Sequence, residues 1–353
     1  MSAQFFWLLP TAGDGRYADA QQRIRGERTT DDAYFLPGVT DPRDRNFNYF
    51  DYLHQVARAV ELAHFDGIEI RNDPEGEESW IVAGYVSRAS RNLTVLTEFD
   101  ASRGSAVYAA KNAVSFQRFT GGRFAWKVTV QPNAAARRRQ GDFVEEEGLY
   151  PRIDEFVTVA RNVITTTGYD FNGRFFQVLQ GGFQGPLSGQ KVPPVYFSGS
   201  DEAALKLSAR LADVHVFNAL PLEDVRLLAG RLEQYAAQAG RQVDFGLRID
   251  VLARESEEEA VFDARRYAEQ SGQGTQLQHA GLWAGLTTST TGADATLVGS
   301  YEQVIAQLAA YATAGVNHFS LGAVPSLEEA YRVGENVLPG LRHLINSANQ
   351  RAA

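Results

Sequence analysis

Both ends of the chain carry a short apolar strand that stops at small, turn-forming residues. Near the start, Phe5-Phe6-Trp7-Leu8-Leu9-Pro10 runs into Thr11-Ala12-Gly13-Asp14-Gly15. Near the end, Gly315-Val316-Asn317-His318-Phe319-Ser320-Leu321-Gly322 leads into a helical stretch from Leu327 to Glu335. A first and a last strand of one grammar can pair side by side. Between them strand-like and helix-like segments alternate, as parallel α/β folds require. The pattern predicts an α/β chain closed as a (β/α)8 TIM barrel, with its chemistry on the loops that follow the strands.

After the first strand, the predicted strands are 67–71, 93–99, 123–130, 193–197, 213–217, 245–252 and 318–321. Helical periodicity marks 52–64, 79–90, 106–119, 150–166 and 222–239. No linker divides the chain, so residues 1–353 read as one barrel domain. Three segments decorate it: 16–48 as a lid or insertion, 131–149 as a polar loop, and 170–192 as a hairpin insertion turning at Asn172-Gly173.

Composition narrows the function. The chain has 353 residues and a formal charge of −9, which argues against nucleic-acid partners, since these need a cationic surface. Its one compact basic cluster, Arg137-Arg138-Arg139, reads as a solvated loop or an anion contact. There is no cysteine, which excludes disulfides, thiolate metal sites and cysteine nucleophiles. The six histidines form no compact ligand motif, so no metal is expected. No apolar run is long enough to span a bilayer, and a cytoplasmic enzyme is expected. His215, inside an apolar strand, reads as a core histidine with a satisfied ring.

Ser198-Gly199-Ser200 lies between a buried strand and a helix start. Small residues there let a phosphate approach the backbone, although an ordinary helix cap uses the same residue types. The wider pattern adds weight to phosphate binding. Phe6-Trp7-Leu8-Leu9-Pro10-Thr11 with Gly13-Asp14-Gly15, Thr120-Gly121-Gly122-Arg123, Asp170-Phe171-Asn172-Gly173 and Pro194 to Ser200 recur in order. Phe245-Gly246-Leu247-Arg248, Leu282-Trp283-Ala284-Gly285, Leu297-Val298-Gly299-Ser300 and Leu327 to Glu335 follow them. With these pieces the chain resembles, over nearly its whole length, the bacterial luciferase-like flavin monooxygenases, and within them the alkanesulfonate monooxygenases.

The resemblance implies a two-component enzyme. A separate NAD(P)H-dependent flavin reductase supplies reduced FMN, O2 is the co-substrate, and a C4a-peroxyflavin attacks a small organic substrate. It also implies a homodimer or homotetramer. By the same resemblance Ser198, Gly199 and Ser200 hold the FMN phosphate, Thr129 and Trp7 line the cofactor, and the segment Gly292–Gly299 helps to cover it. Arg248 matches a family arginine expected to face the flavin, where a permanent cation stabilises negative charge. The alternative for Arg248 is a buried salt bridge with Asp250 or Asp100.

The departures fall where substrate chemistry is expected. Ala12, Asp250 and Ser326 stand where the sulfonate enzymes have histidines, and Thr290 or a neighbour stands where their mobile loop has an arginine. A sulfonate needs fixed charge-assisted donors, so a simple alkanesulfonate is not the expected substrate. Glu69, Glu98, Asp100 and Asp250 lie at strand ends instead. With Thr290 they form the candidate substrate set, which would favour an amine, a guanidine or a polar zwitterion, with Asp250 a candidate base, unless Arg71, Lys127 and Arg248 neutralise the carboxylates in a structural network. Two readings compete: a deazaflavin-dependent hydride-transfer oxidoreductase of the same barrel superfamily, and an inactive flavin-binding accessory subunit.

Overall fold

The computed structural model describes residues 3–11, 13–14, 16–17, 23–24, 49–74, 76–131, 133–271, 276–279, 281–287, 291 and 293–352. In chain order the elements are β1 (Gln4–Leu9), β2 (Arg16–Tyr17), β3 (Arg23–Ile24), α1 (Tyr49–Leu62), β4 (Gly67–Ile70), α2 (Ser79–Ala89) and β5 (Thr94–Asp100). Next come α3 (Ala106–Thr120), β6 (Phe124–Thr129), α4 (Ala134–Arg139), α5 (Glu146–Thr165), β7 (Tyr169–Asn172) and β8 (Gln177–Gly181). Then follow β9 (Val195–Ser198), α6 (Glu202–Leu211), β10 (Val214–Asn218), α7 (Leu222–Gln238), β11 (Asp244–Arg254) and α8 (Glu257–Ser271). The chain closes with β12 (Gln276–His279), β13 (Leu282–Ala284), β14 (Ala295–Ser300), α9 (Tyr301–Thr313), β15 (Val316–Gly322), α10 (Ser326–Asn336) and α11 (Leu338–Ala352). The fold class is the expected (β/α)8 barrel, whose parallel strands are β1, β4, β5, β6, β9, β10, β11 and β15.

Two compact units make up the chain. The first comprises Met1–Leu93, Phe217–Arg226 and Phe245–Ala353; the second comprises Thr94–Val216 and Leu227–Asp244.

In the first unit the two ends of the chain pair as the sequence predicts. β1 runs parallel to β15, with Phe6 opposite Ser320, and parallel to β4, with Phe6 opposite Gly67. β15 in turn pairs with β11, Ser320 opposite Arg248. Strand alternation then sorts the side chains. Phe5, Trp7, Ile68, Ile70, Leu247, Ile249, Phe319 and Leu321 share one face and are fully buried. Glu69, Arg248 and Ser320 share the other. The loop after β1 is pinned by Asp14. Its carboxylate accepts the Ser326 backbone N–H at 2.8 Å, at the start of α10, and also bonds the Tyr52 hydroxyl of α1.

β11 is longer than expected because it outruns its barrel partners. Asp250–Arg254 pair with Thr296–Ser300 of β14, and β14 continues antiparallel into β13 and β12. The segment expected as a cover loop, 292–299, is therefore a buried strand from Ala295 onward. The reason is its apolar run: Leu297 and Val298 are buried, and Val298 joins Leu252, Ala260, Ala264, Tyr267, Leu286 and Val324 in a local core. Trp283 packs on that core.

In the second unit β5, β6, β9 and β10 run parallel, with Glu98 opposite Lys127 and Tyr196 opposite both Lys127 and Val214. Phe99 and Trp126 pack with Phe156 of α5, the rings 5.6–5.8 Å from it. Aromatic pairs of this kind add roughly 0.5–1.5 kcal/mol each beyond their buried area. α3 begins at the Ser105 cap and ends at Gly121, whose φ of +65° favours glycine.

The segment 131–149 is not a plain loop, since it contains α4 and the first turn of α5. Arg137 is buried there and donates to the Gln131 carbonyl at 3.0 Å, while Arg138 is exposed. The hairpin at 170–192 is present as β7 and β8. Glu155 of α5 anchors its turn, accepting backbone N–H groups from Arg174, Phe175 and Phe176 at 2.8, 2.7 and 3.1 Å. Of the segment 16–48, only β2 and β3 lie within the described residues, and they pair antiparallel.

Candidate active site

A candidate site lies in the second unit, at the start of α6. β9 is buried up to Phe197, and Ser198, Gly199 and Ser200 carry the chain out to the helix. Gly199 sits at φ +149°, and a Cβ placed on it would lie 2.5 Å from the Ala204 Cβ. The turn therefore requires glycine, which lets the backbone pack closely against the first turn of α6. Asp201 caps α6, accepting the Ala204 N–H at 2.9 Å. The Tyr150 hydroxyl of α5 donates to the same carboxylate at 2.6 Å, and its ring meets Phe197 edge to face. Burial, and then the bond to Asp201, holds the Tyr150 phenol above its ordinary range, so it remains a donor.

His215 stands behind this turn, fully buried on β10 opposite Phe197. Its Nδ1 bonds the Ser208 hydroxyl of α6 at 2.9 Å. Burial pushes the imidazole down to about 4, against a hydrogen bond to the Gly199 backbone that pulls the other way. A neutral ring thus ties the turn to the helix it precedes.

Of the other candidates in this unit, Thr129 is half-buried at the end of β6, opposite Asp100. Glu98 is ion-paired to Lys127 at 2.9 Å, both being nearly buried. Asp100 accepts the backbone N–H groups of Ser102 at 2.7 Å and Gln131 at 3.3 Å, fixing its own loop.

The first unit holds a cluster of its own. Arg248 is buried and donates through Nη1 to Asp250 at 3.0 Å and through Nη2 to the Thr291 carbonyl at 3.0 Å. Arg71 donates to that same carbonyl at 2.6 Å. The Thr291 hydroxyl donates to Asp250, and the Ser320 hydroxyl donates to Glu69. Gly322 makes room for the ion pair, because a Cβ there would stand 2.5 Å from Asp250 Oδ1 and 3.2 Å from Arg248 Nη1. Trp7 is fully buried on the opposite face, its indole N–H on the Ser326 hydroxyl at 2.9 Å and its ring against Phe65. Thr290 lies outside the described residues.

Tyr150, Asp201, Thr291 and Ser320 were not among the sequence candidates. Thr291 and Ser320 meet residues 41 and 251 positions away, and no spacing rule links such pairs. Tyr150 carried a weak signal as an aromatic residue after a polar stretch.

A family model described as luciferase-like monooxygenase matches residues 4–318. The chain belongs to the luciferase-like monooxygenase family. Solved structures of similar fold include a riboflavin lyase with modified FMN and riboflavin, at 16% identity and a TM-score of 0.73, covering 97% of this chain and 92% of that one. A long-chain alkane monooxygenase matches at 14% identity and a TM-score of 0.72, with the same coverages of 97% and 92%. An F420-dependent secondary alcohol dehydrogenase, in complex with an F420-acetone adduct, matches at 16% and 0.69, covering 97% and 99%. At these identities the three share the fold with this chain. Among the described residues, no cluster of metal-binding side chains is present and no helix is long and apolar enough to cross a membrane.

Proposed function

We propose that the chain is a two-component monooxygenase that uses reduced FMN and O2 to oxidise a small organic substrate other than a simple alkanesulfonate. The observation that carries this reading is the turn before α6, where Ser198, Gly199 and Ser200 lead from a buried strand into a helix N-terminus and Gly199, packed against Ala204, admits no side chain. The Ser198 and Ser200 hydroxyls and the backbone N–H groups at the start of α6 suit a phosphate. The first N–H groups of α6 lack carbonyl partners within the helix, and the helix dipole favours an anion there. Asp201 opposes it, since its carboxylate already caps the helix; Tyr150 directs its proton onto that carboxylate and moderates its charge.

Reduced flavin, when bound, supplies the activation of O2. The rest of the work falls to the chain. Ser198, Gly199 and Ser200 hold the phosphate, and Thr129 lines the cofactor; Trp7, expected there from the sequence, is instead fully buried against Phe65 and Ser326. Arg248, its charge balanced by Asp250 at 3.0 Å, provides a fixed guanidinium hydrogen-bond donor at the reacting groups. Asp250 holds that cation in place. An NAD(P)H-dependent flavin reductase delivers the reduced cofactor, and the chain works as a homodimer or homotetramer.

A second reading is hydride transfer with a deazaflavin, favoured by the fold shared with the F420-dependent alcohol dehydrogenase. Anaerobic equilibrium titration with reduced FMN and with reduced F420 separates the two. Saturable binding of reduced FMN with weaker F420 binding supports the monooxygenase. The reverse order assigns hydride transfer.

A further inference from the structure

Four charged side chains of the first unit lie on or just after β4 and β11: Glu69 on β4, Arg71 just after it, and Arg248 and Asp250 midway along β11, with Arg71, Arg248 and Asp250 joined through Thr291. Two are cationic and two anionic. Arg248 and Asp250 are buried and form an ion pair at 3.0 Å, two residues apart on one strand. The remaining donors are aimed at neutral protein oxygen. Arg248 and Arg71 converge on the Thr291 carbonyl at 3.0 and 2.6 Å, and the Thr291 hydroxyl closes the ring onto Asp250.

A site built to take an anion leaves its cation short of countercharge until the ligand arrives, because burying an unpaired carboxylate or sulfonate is costly. Here the countercharge is internal. An anionic ligand beside Arg248 would add a net negative charge to a buried cluster and would have to displace a carbonyl already held by two guanidinium groups. A neutral hydrogen-bonding group meets neither barrier.

We propose that Asp250 is a specificity-determining residue, and that the part of the substrate bound beside Arg248 is uncharged, such as a carbonyl, hydroxyl or ether oxygen. This rests on the reading that Arg248 belongs to the active site. By neutralising Arg248 from within, Asp250 excludes anions.

The test needs neither flavin nor O2. Butanesulfonate and butyramide are titrated into the wild-type chain by ligand-observed NMR at constant ionic strength, and the same is done for Asp250→Asn and for the double variant D250N/R248Q. Asn keeps the size and an acceptor while removing the charge. The expected result is butyramide binding to the wild type with butanesulfonate at least tenfold weaker, a gain of at least tenfold for butanesulfonate in Asp250→Asn, and loss of that gain in the double variant. The proposal is overturned if the wild type binds butanesulfonate as tightly as butyramide, or if folded Asp250→Asn gains no anion affinity. If Asp250→Asn does not fold, the wild-type comparison decides alone. Failure of FMN to bind, with the anion gain intact, would remove the cofactor reading and leave this one standing.

Discussion

Gly199→Ala probes the turn on which the cofactor assignment rests. At φ +149° an L side chain is strained, and its Cβ would stand 2.5 Å from that of Ala204, about 1 Å inside ordinary contact. Backbone strain of this kind costs ~1–3 kcal/mol. Forcing a methyl group into packed structure costs a further ~1–3 kcal/mol. Gly189 supplies a matched control, because it also has positive φ, +68°, but nothing lies within 4 Å of its missing Cβ. Gly189→Ala therefore keeps only the backbone cost, ~1–2 kcal/mol. Urea unfolding followed by circular dichroism reads the difference. At a slope of roughly 3 kcal/mol per molar, Gly199→Ala lowers the midpoint by about 0.7–2 M and Gly189→Ala by about 0.3–0.7 M. FMN affinity falls only in Gly199→Ala. Equal midpoint shifts in the two variants would refute the packing argument, and unchanged FMN affinity in Gly199→Ala would refute the phosphate assignment.

Three further outcomes follow from the same geometry. His215 is neutral in the fold, with its value near 4 against 6.5 unfolded. The unfolded chain thus binds the extra proton between those limits; this contribution is complete above pH 6.5, is lost as pH falls towards 4, and amounts to ~2 kcal/mol by pH 5. Urea midpoints of His215→Gln should show a shallower slope across that window, and an unchanged slope contradicts the assignment. Asp142 receives Arg152 at 2.8 and 2.7 Å in a buried pair. Asp142→Asn should cost ~3–5 kcal/mol, most of it recovered in D142N/R152M; a double variant as unstable as the single one argues against an uncompensated charge. Glu155→Ala should raise amide exchange at Arg174, Phe175 and Phe176 at least tenfold and destabilise by ~1–3 kcal/mol, and intact protection of those amides would show that the turn does not depend on Glu155.

The barrel was legible because strand and helix periods differ and because both termini obey one pattern. β1 and β15 pair where the sequence placed them. Arg248 and Asp250 were legible as neighbours, since an i, i+2 pair on a strand shares a face, and their ion pair at 3.0 Å follows from burial. β14 was not legible as a strand, because its glycine and its place after a turn-rich stretch suggested a loop, whereas tertiary pairing with β11 decides its conformation. α4 was hidden by an arginine run that looked solvated, although Arg137 turns inward to the Gln131 carbonyl. Thr291 and Tyr150 owe their positions to contacts across long stretches of chain, about which one sequence carries no local signal.

The most direct test of the central claim is an anaerobic titration of the purified chain with reduced FMN, reduced F420 and oxidised FMN, followed by admission of O2 in a stopped-flow spectrometer. The account predicts preferential binding of reduced FMN, weakened in Gly199→Ala, and an oxidation time course that differs from that of free reduced FMN. Preference for F420 with no effect of O2, or reduced FMN oxidised as it is in buffer alone, would contradict it.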